Sequence, residues 1–173
     1  MTMRTVVLGT LTWGVLAGGA WANEADRARA VQLEKDGNFA EAYVLFRGLA
    51  ISPGTDPASG PADLERAVLC LQRLNRLEEA DALLEEAVAA HAVNWRLLHQ
   101  AAAIYLRGLP HVGFLVGGEF QRGHSRGGPA GRWVNVQDRD RTRALQLLQQ
   151  ALPPALRHRP RTDTGLFFMD FAQ

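Results

Sequence analysis

Residues 75–88 read NRLEEADALLEEAV, and the fold follows from the recurrence of this stretch. Residues 37–50, GNFAEAYVLFRGLA, and residues 139–152, RDRTRALQLLQQAL, superpose on it without gaps. Ala42, Ala80 and Ala144 coincide, then Phe46, Leu84 and Leu148, then Leu49, Ala87 and Ala151. Steps of four and then three residues lie on one face of an α-helix, and a small residue at a recurring position lets a neighbouring helix approach closely. Glu78, Glu79, Glu85 and Glu86 flank the apolar stripe of the middle copy, where a solvated helix face is expected.

A second helical pattern precedes each copy: ADRARAVQLEKD from Ala25, ADLERAVLCLQRL from Ala62 and NWRLLHQAAAIYL from Asn94. Leu64, Ala67, Val68, Leu71 and Leu74 form one stripe, and Trp95, Leu98, Ala102 and Tyr105 another. Gly37 and Asn75 fall at equivalent places between the paired helices, and both residue types tolerate the left-handed conformation that closes a helix. The pattern of helix, tight turn and helix resembles the tetratricopeptide repeat, whose length is about 34 residues. The expected fold class is therefore all-α: antiparallel helix pairs of a tetratricopeptide-like solenoid. Its repeats span about 24–53, 62–91 and 94–154.

The spacings locate what is inserted. Ala42 and Ala80 are 38 residues apart, and the loop SPGTDPASGPAD from Ser52 supplies the small excess. Ala80 and Ala144 are 64 apart, an excess of about 30 over the repeat length. That excess is a glycine-rich insertion at 108–136, containing HVGFLVGGEFQRGHSRGGPAGRWVN from His111. Within it GFLVGGEF and GRWVNV are β-like, which predicts a small hairpin or strand pair packed on the third repeat. Asn135, with Asp138 behind it, is expected to cap the helix that resumes. Two readings of the insertion stand side by side. In one it is a surface loop dispensable for helix stacking, with Arg122, Arg126, Arg132 and Trp133 as candidate partner contacts. In the other, Phe114, Leu115, Phe120 and Trp133 bury themselves against the third repeat.

The amino terminus pairs a basic start, MTMR, with an apolar run and the small-residue site AWA, the pattern of a secretory signal peptide over residues 1–22. Cleavage between Ala22 and Asn23 leaves one domain, 23–173, exported to the periplasm or outside the cell. Polarity rises too soon for a membrane-spanning helix, which needs about 20 apolar residues. The signal segment holds one basic residue, so the mature chain carries 18 basic and 18 acidic residues. Zero net charge does not suit counterion-release binding, so no nucleic acid is expected as a partner. GFLVGGEF lacks the Gly-Lys-Ser/Thr of a phosphate-binding loop. Cys70, the single cysteine, lies on or beside a core stripe, which predicts a buried thiol. The histidines at 91, 99, 111, 124 and 158 show no metal-ligand spacing. No catalytic, cofactor-binding or metal residue is assigned, and the chain is not expected to be an enzyme.

LERAVLCLQRLNRLEEADALLEEAVAAHAVNWRLLHQAAAIYL, followed by LPHVGFLVGGEFQRG, GRWVN and DRDRTRALQLLQQA, resembles the tetratricopeptide-like amino-terminal region of large bacterial alpha-2-macroglobulin family proteins. The resemblance implies a long exported protein that entraps proteases, with bait and thioester regions far downstream. Cys70 lacks the Cys, Glu, Gln arrangement of a thioester, so trapping is not assigned to these residues. The expected function is an exported interaction scaffold whose partner is a protein or the downstream region of the same longer chain. A stand-alone exported repeat protein assisting an envelope assembly is the alternative. The carboxyl-terminal TDTGLFFMDFAQ begins a further helix over 163–173 after Thr162 or Asp163. It reads either as a truncated next repeat or as a lid folded back on the third.

Overall fold

The structure is a computed structural model that describes residues 16–123, 132–159 and 164–172. Among these residues the chain is mostly helical: α1 (Leu16–Lys35), α2 (Phe39–Ile51), α3 (Gly60–Leu74), α4 (Ala80–Ala90), α5 (Trp95–Ala103), α6 (Gln137–Arg157) and α7 (Gly165–Phe171). A small three-stranded sheet separates α5 from α6. The expected cleavage site lies within α1, and residues 1–15 fall outside the described residues. Asn23 already reaches the Gly54 carbonyl, and Arg27 grips the buried Asp63 of α3 with two nitrogens at 2.9 and 2.8 Å.

The three copies of the deciding stretch supply α2, α4 and α6, and their aligned apolar residues are buried in all three cases. Helix α2 packs between α1 and α3, α5 packs on α3 and α6, and α4 meets α2, α3 and α5. The small residues Ala42, Ala80 and Ala144 are each fully buried at these contacts. Cys70 is buried in the same core, and desolvation followed by the nearby Glu34 carboxylate pushes its thiol up to about 11. It is a neutral packing group.

The turns within the first two helix pairs, α1–α2 and α3–α4, are built alike. Gly37 (φ +80°) and Asn75 (φ +54°) are left-handed. Asn38 donates to the Leu33 carbonyl as Arg76 does to Leu71, and Gly37 donates to Glu34 as Asn75 does to Gln72. This is the paired hydrogen-bond pattern by which a left-handed residue satisfies the last carbonyls of a helix. The third pair has no such turn. Its first helix ends in a π-turn, Ile104–Gly108, and leads into the sheet.

Strands β1 (Val112–Val116) and β2 (Glu119–Arg122) form a hairpin on Gly117 and Gly118, both at positive φ as a two-residue hairpin turn favours. β3 (Arg132–Asn135) pairs along the other side of β1, giving the order β2-β1-β3. The expected hairpin therefore forms and gains a third strand. Asn135 accepts the Gln137 amide at 2.8 Å, steering the chain into α6.

Helix α7 folds back on α5. Phe167 is fully buried, edge-on to Trp95 and His99 at centroid distances of 5.9 and 5.5 Å, and Asp170 meets His99 Nε2 at 2.9 Å. The caps expected at Thr162 and Asp163 lie outside the described residues. Glu85 is exposed, as expected for the solvated face, and in addition accepts hydrogen bonds from the buried Tyr105 hydroxyl and from Arg143. Desolvation acts to raise its carboxyl, and these donors outweigh it and hold it below the usual range.

Truncating Leu84, whose side chain is fully buried, is expected to cost about 2–5 kcal/mol in urea denaturation. Glu86→Ala, which removes only the exposed pair with Arg47, is expected to cost less than about 1 kcal/mol. Equal losses would mean that the buried face is wrongly identified.

Candidate functional site

Strand alternation sorts the sheet into two faces. Phe114 lies opposite Gln121 and Trp133, whereas Gly113 lies opposite Arg122 and Val134, so the two sets point to opposite sides. The Arg122 side faces the helices, and its guanidinium organises everything there. Its Nη1 and Nη2 each stand 2.8 Å from the two oxygens of Asp140 in a fork-to-fork pair. Nη2 also meets Asp81 Oδ1 at 2.8 Å and Nη1 donates to the Pro110 carbonyl at 2.7 Å. The side chains of Arg122 and Asp140 are both fully buried.

Two further groups reach these carboxylates. Arg139 Nη2 lies 2.9 Å from Asp81 Oδ1, and His111 Nδ1 lies 3.0 Å from Asp140 Oδ2. The Phe120 ring lies against both Arg139 and Arg122, with the guanidinium carbons 4.3 and 5.5 Å from its centroid. Burial acts on Arg122 to weaken its charge, but the bonds to Asp140 and Asp81 outweigh it and the pKa moves upward. Asp140 answers in kind: desolvation acts to raise its carboxyl, and Arg122 and His111 together hold it below its ordinary value of 3.8. At any ordinary pH both groups are charged.

Gly113 makes the arrangement sterically possible. A Cβ at this position would stand 2.3 Å from the Gln121 carbonyl and 2.5 Å from the Phe120 ring. The ring occupies the space that a side chain on β1 would take. This is a close approach that only glycine permits.

The four candidate contact residues separate. Arg122 is corrected from a partner contact to a buried internal tie: it is only 3% exposed, because two carboxylates and a carbonyl consume its donors. Arg126 lies outside the described residues. Arg132 and Trp133 are exposed on β3, Trp133 by 57%, so Trp133 does not join the core as the competing reading expects. Phe114, Leu115 and Phe120 are half-buried. Next to Trp133 on the outer face stand Phe114 and the exposed Val116.

Asp81, Asp140 and His111 carry the site but were not anticipated. Their partners lie far along the chain, Asp81 being 41 residues and Asp140 18 residues from Arg122. Among the described residues there is no group of three or more His, Cys, Asp or Glu side chains arranged to hold a metal ion. No family model, curated protein or solved structure matches the chain.

Removing this cation, as in Arg122→Met, strips the buried Asp140 carboxylate of both its fork bonds and leaves it only His111 and the more distant Arg139, so a cost of up to about 3–5 kcal/mol is expected by chemical denaturation. The double variant Arg122→Met with Asp140→Leu should recover a large part of that loss, because it removes both desolvated ions together. Equal losses in the two variants would show that the pair is not coupled.

The Asp140 contribution has a definite sign in pH. Its carboxyl is depressed in the folded state, so its stabilisation is complete above the ordinary value of 3.8 and is lost as pH falls from there through the folded value. Stability measured from pH 6 downward should therefore drop on the acid side. Asp140→Asn should start lower at pH 6 and fall less steeply. An unchanged acid slope in this variant would contradict the depression.

Proposed function

We propose that this chain is an exported helical-repeat scaffold for protein–protein interaction, with its helix pairs stacked as a tetratricopeptide-like solenoid. In this reading the outer face of the sheet contacts a protein partner or the downstream region of the same longer chain. The chain has no trapping or catalytic activity of its own. One observation carries the proposal: Trp133, 57% exposed, stands on a sheet anchored from beneath by the fully buried Arg122 side chain. A large aromatic group held in water on a fixed platform is the usual form of an energetic anchor at an interface, because little conformational freedom is left to lose on binding. Phe114 and Val116 extend the apolar surface, whereas alternation turns the exposed Arg132, opposite Leu115, toward the other face.

Other features support the repeat part of the reading. The same left-handed turn, with the same pair of carbonyls satisfied, recurs at Gly37 and Asn75, 38 residues apart. The sequence resemblance to the amino-terminal region of bacterial alpha-2-macroglobulin family proteins agrees with export and with a scaffold role. Asn23, the residue expected to follow signal cleavage, already contributes a contact to the α2–α3 loop.

A photo-crosslinking amino acid in place of Trp133, expressed in the native cell, tests this. The expected result is a discrete adduct in the envelope fraction on a chain whose mass corresponds to a start at Asn23. The same probe at Val93, 81% exposed and far from the sheet in sequence, should give none. An intact Met1 form confined to the cytosol would overturn export, and identical adducts at both positions would overturn the sheet face.

A further inference from the structure

A second surface lies away from the sheet, where the α1–α2 turn meets α3 and encloses a groove of about 370 Å³. Its floor is apolar. Phe39 is half-buried there, and Leu69 is 43% exposed although Val68 and Leu71 beside it on α3 are buried in the core. Cys70 also lines the floor, and its raised thiol keeps it neutral.

The rim is cationic. Arg66 pairs with Glu34, the only carboxylate in the lining, and lies 5.7 Å from the Phe46 ring. Arg73 stands over the Phe39 ring at 6.0 Å and, like Lys35, has no acidic partner among the described residues. Three cations thus face one carboxylate around an apolar floor, in a chain whose overall formal charge is only +1. The excess is local, so it is not a by-product of a basic protein.

We propose that this groove docks an acidic peptide segment bearing one large apolar side chain. The apolar group covers Leu69 and Phe39, and flanking carboxylates reach Lys35 and Arg73. The planar guanidinium of Arg73 suits a carboxylate because it offers two parallel donors. The short cationic rim is too limited in extent for a nucleic-acid backbone, whose affinity needs many phosphate contacts along a stripe. The proposal extends the scaffold reading to a surface independent of the sheet.

The probe is a fluorescein-labelled Asp-Glu-Leu-Phe-Asp-Glu peptide, titrated with the full chain and read by fluorescence anisotropy. Saturable binding is expected, weakening as salt rises. It should weaken by at least about tenfold in Lys35→Glu with Arg73→Glu, and measurably in Arg73→Ala, because unlike charge across an interface steers and holds the pair. Trp133→Ala should bind the peptide as the unaltered chain does, so a failure here leaves the sheet face untouched. All three substituted positions are exposed, and unchanged circular dichroism confirms that the variants fold. No saturable binding, equal binding of the Lys-Arg-Leu-Phe-Lys-Arg peptide, or an undiminished affinity in both groove variants would overturn the proposal.

Discussion

A fully desolvated guanidinium cannot exist in a fold without its counter-charges, and Arg122 places that demand on three separate parts of this chain. Asp81 comes from α4, Asp140 from the first turn of α6, and the Pro110 carbonyl from the link between α5 and β1. These groups converge only when the second and third helix pairs are already side by side. The docking of the insertion and the approach of α4 and α6 are therefore coupled through one guanidinium. Arg139 and His111 reach the same carboxylates, so that neither rests on Arg122 alone.

Everything on the outer face inherits this fixity. The hairpin turn at Gly117 and Gly118 sets the register, and Gly113 leaves room for the Phe120 ring to lie against β1. With one face spent on the ion cluster, alternation directs Phe114 and Trp133 to the other. An aromatic side chain that would be an unremarked surface residue on a loose loop becomes a preformed contact on an anchored sheet. That is the physical content of the scaffold proposal. The basic groove at α3 follows a different logic, since there the helices have left an apolar strip open between cations.

Much of the helical framework was legible in the sequence. Small and large apolar residues recur at fixed spacing, and Ala80 and Leu84 of the middle copy are buried like their counterparts. Gly37 and Asn75 disclosed two turns because left-handed backbone narrows the choice of residue. Cys70 was readable for the same reason, as part of a helical stripe. The sheet was half legible: GFLVGGEF announces a hairpin, but nothing local says that the GRWVN strand adds to the far side of β1. The ion cluster was not legible at all. Arg122 sits in a string of glycines and arginines that looks solvated, and Asp81 and Asp140 occupy polar helix positions where acids are ordinary. Pairing over 41 and 18 residues leaves no periodicity to detect. The exposed face of Glu85 was legible, but its partners Tyr105 and Arg143 were not, since they come from distant parts of the chain.

The central claim is that the buried arginine makes the inserted sheet and the helices one cooperative unit. Native-state hydrogen exchange tests it directly, using the amides that flank the amino-terminal end of β1 on its two sides. Gly123 donates to the Val112 carbonyl and Val136 to the His111 carbonyl. If the sheet is locked by Arg122, these amides exchange with an opening free energy equal to that of the α5 and α6 core amides, and in low denaturant they merge with global unfolding. Exchange of Gly123 and Val136 through a low-energy opening that leaves the α5 and α6 amides protected would contradict the account, showing that the sheet rides on the helices without being tied to them.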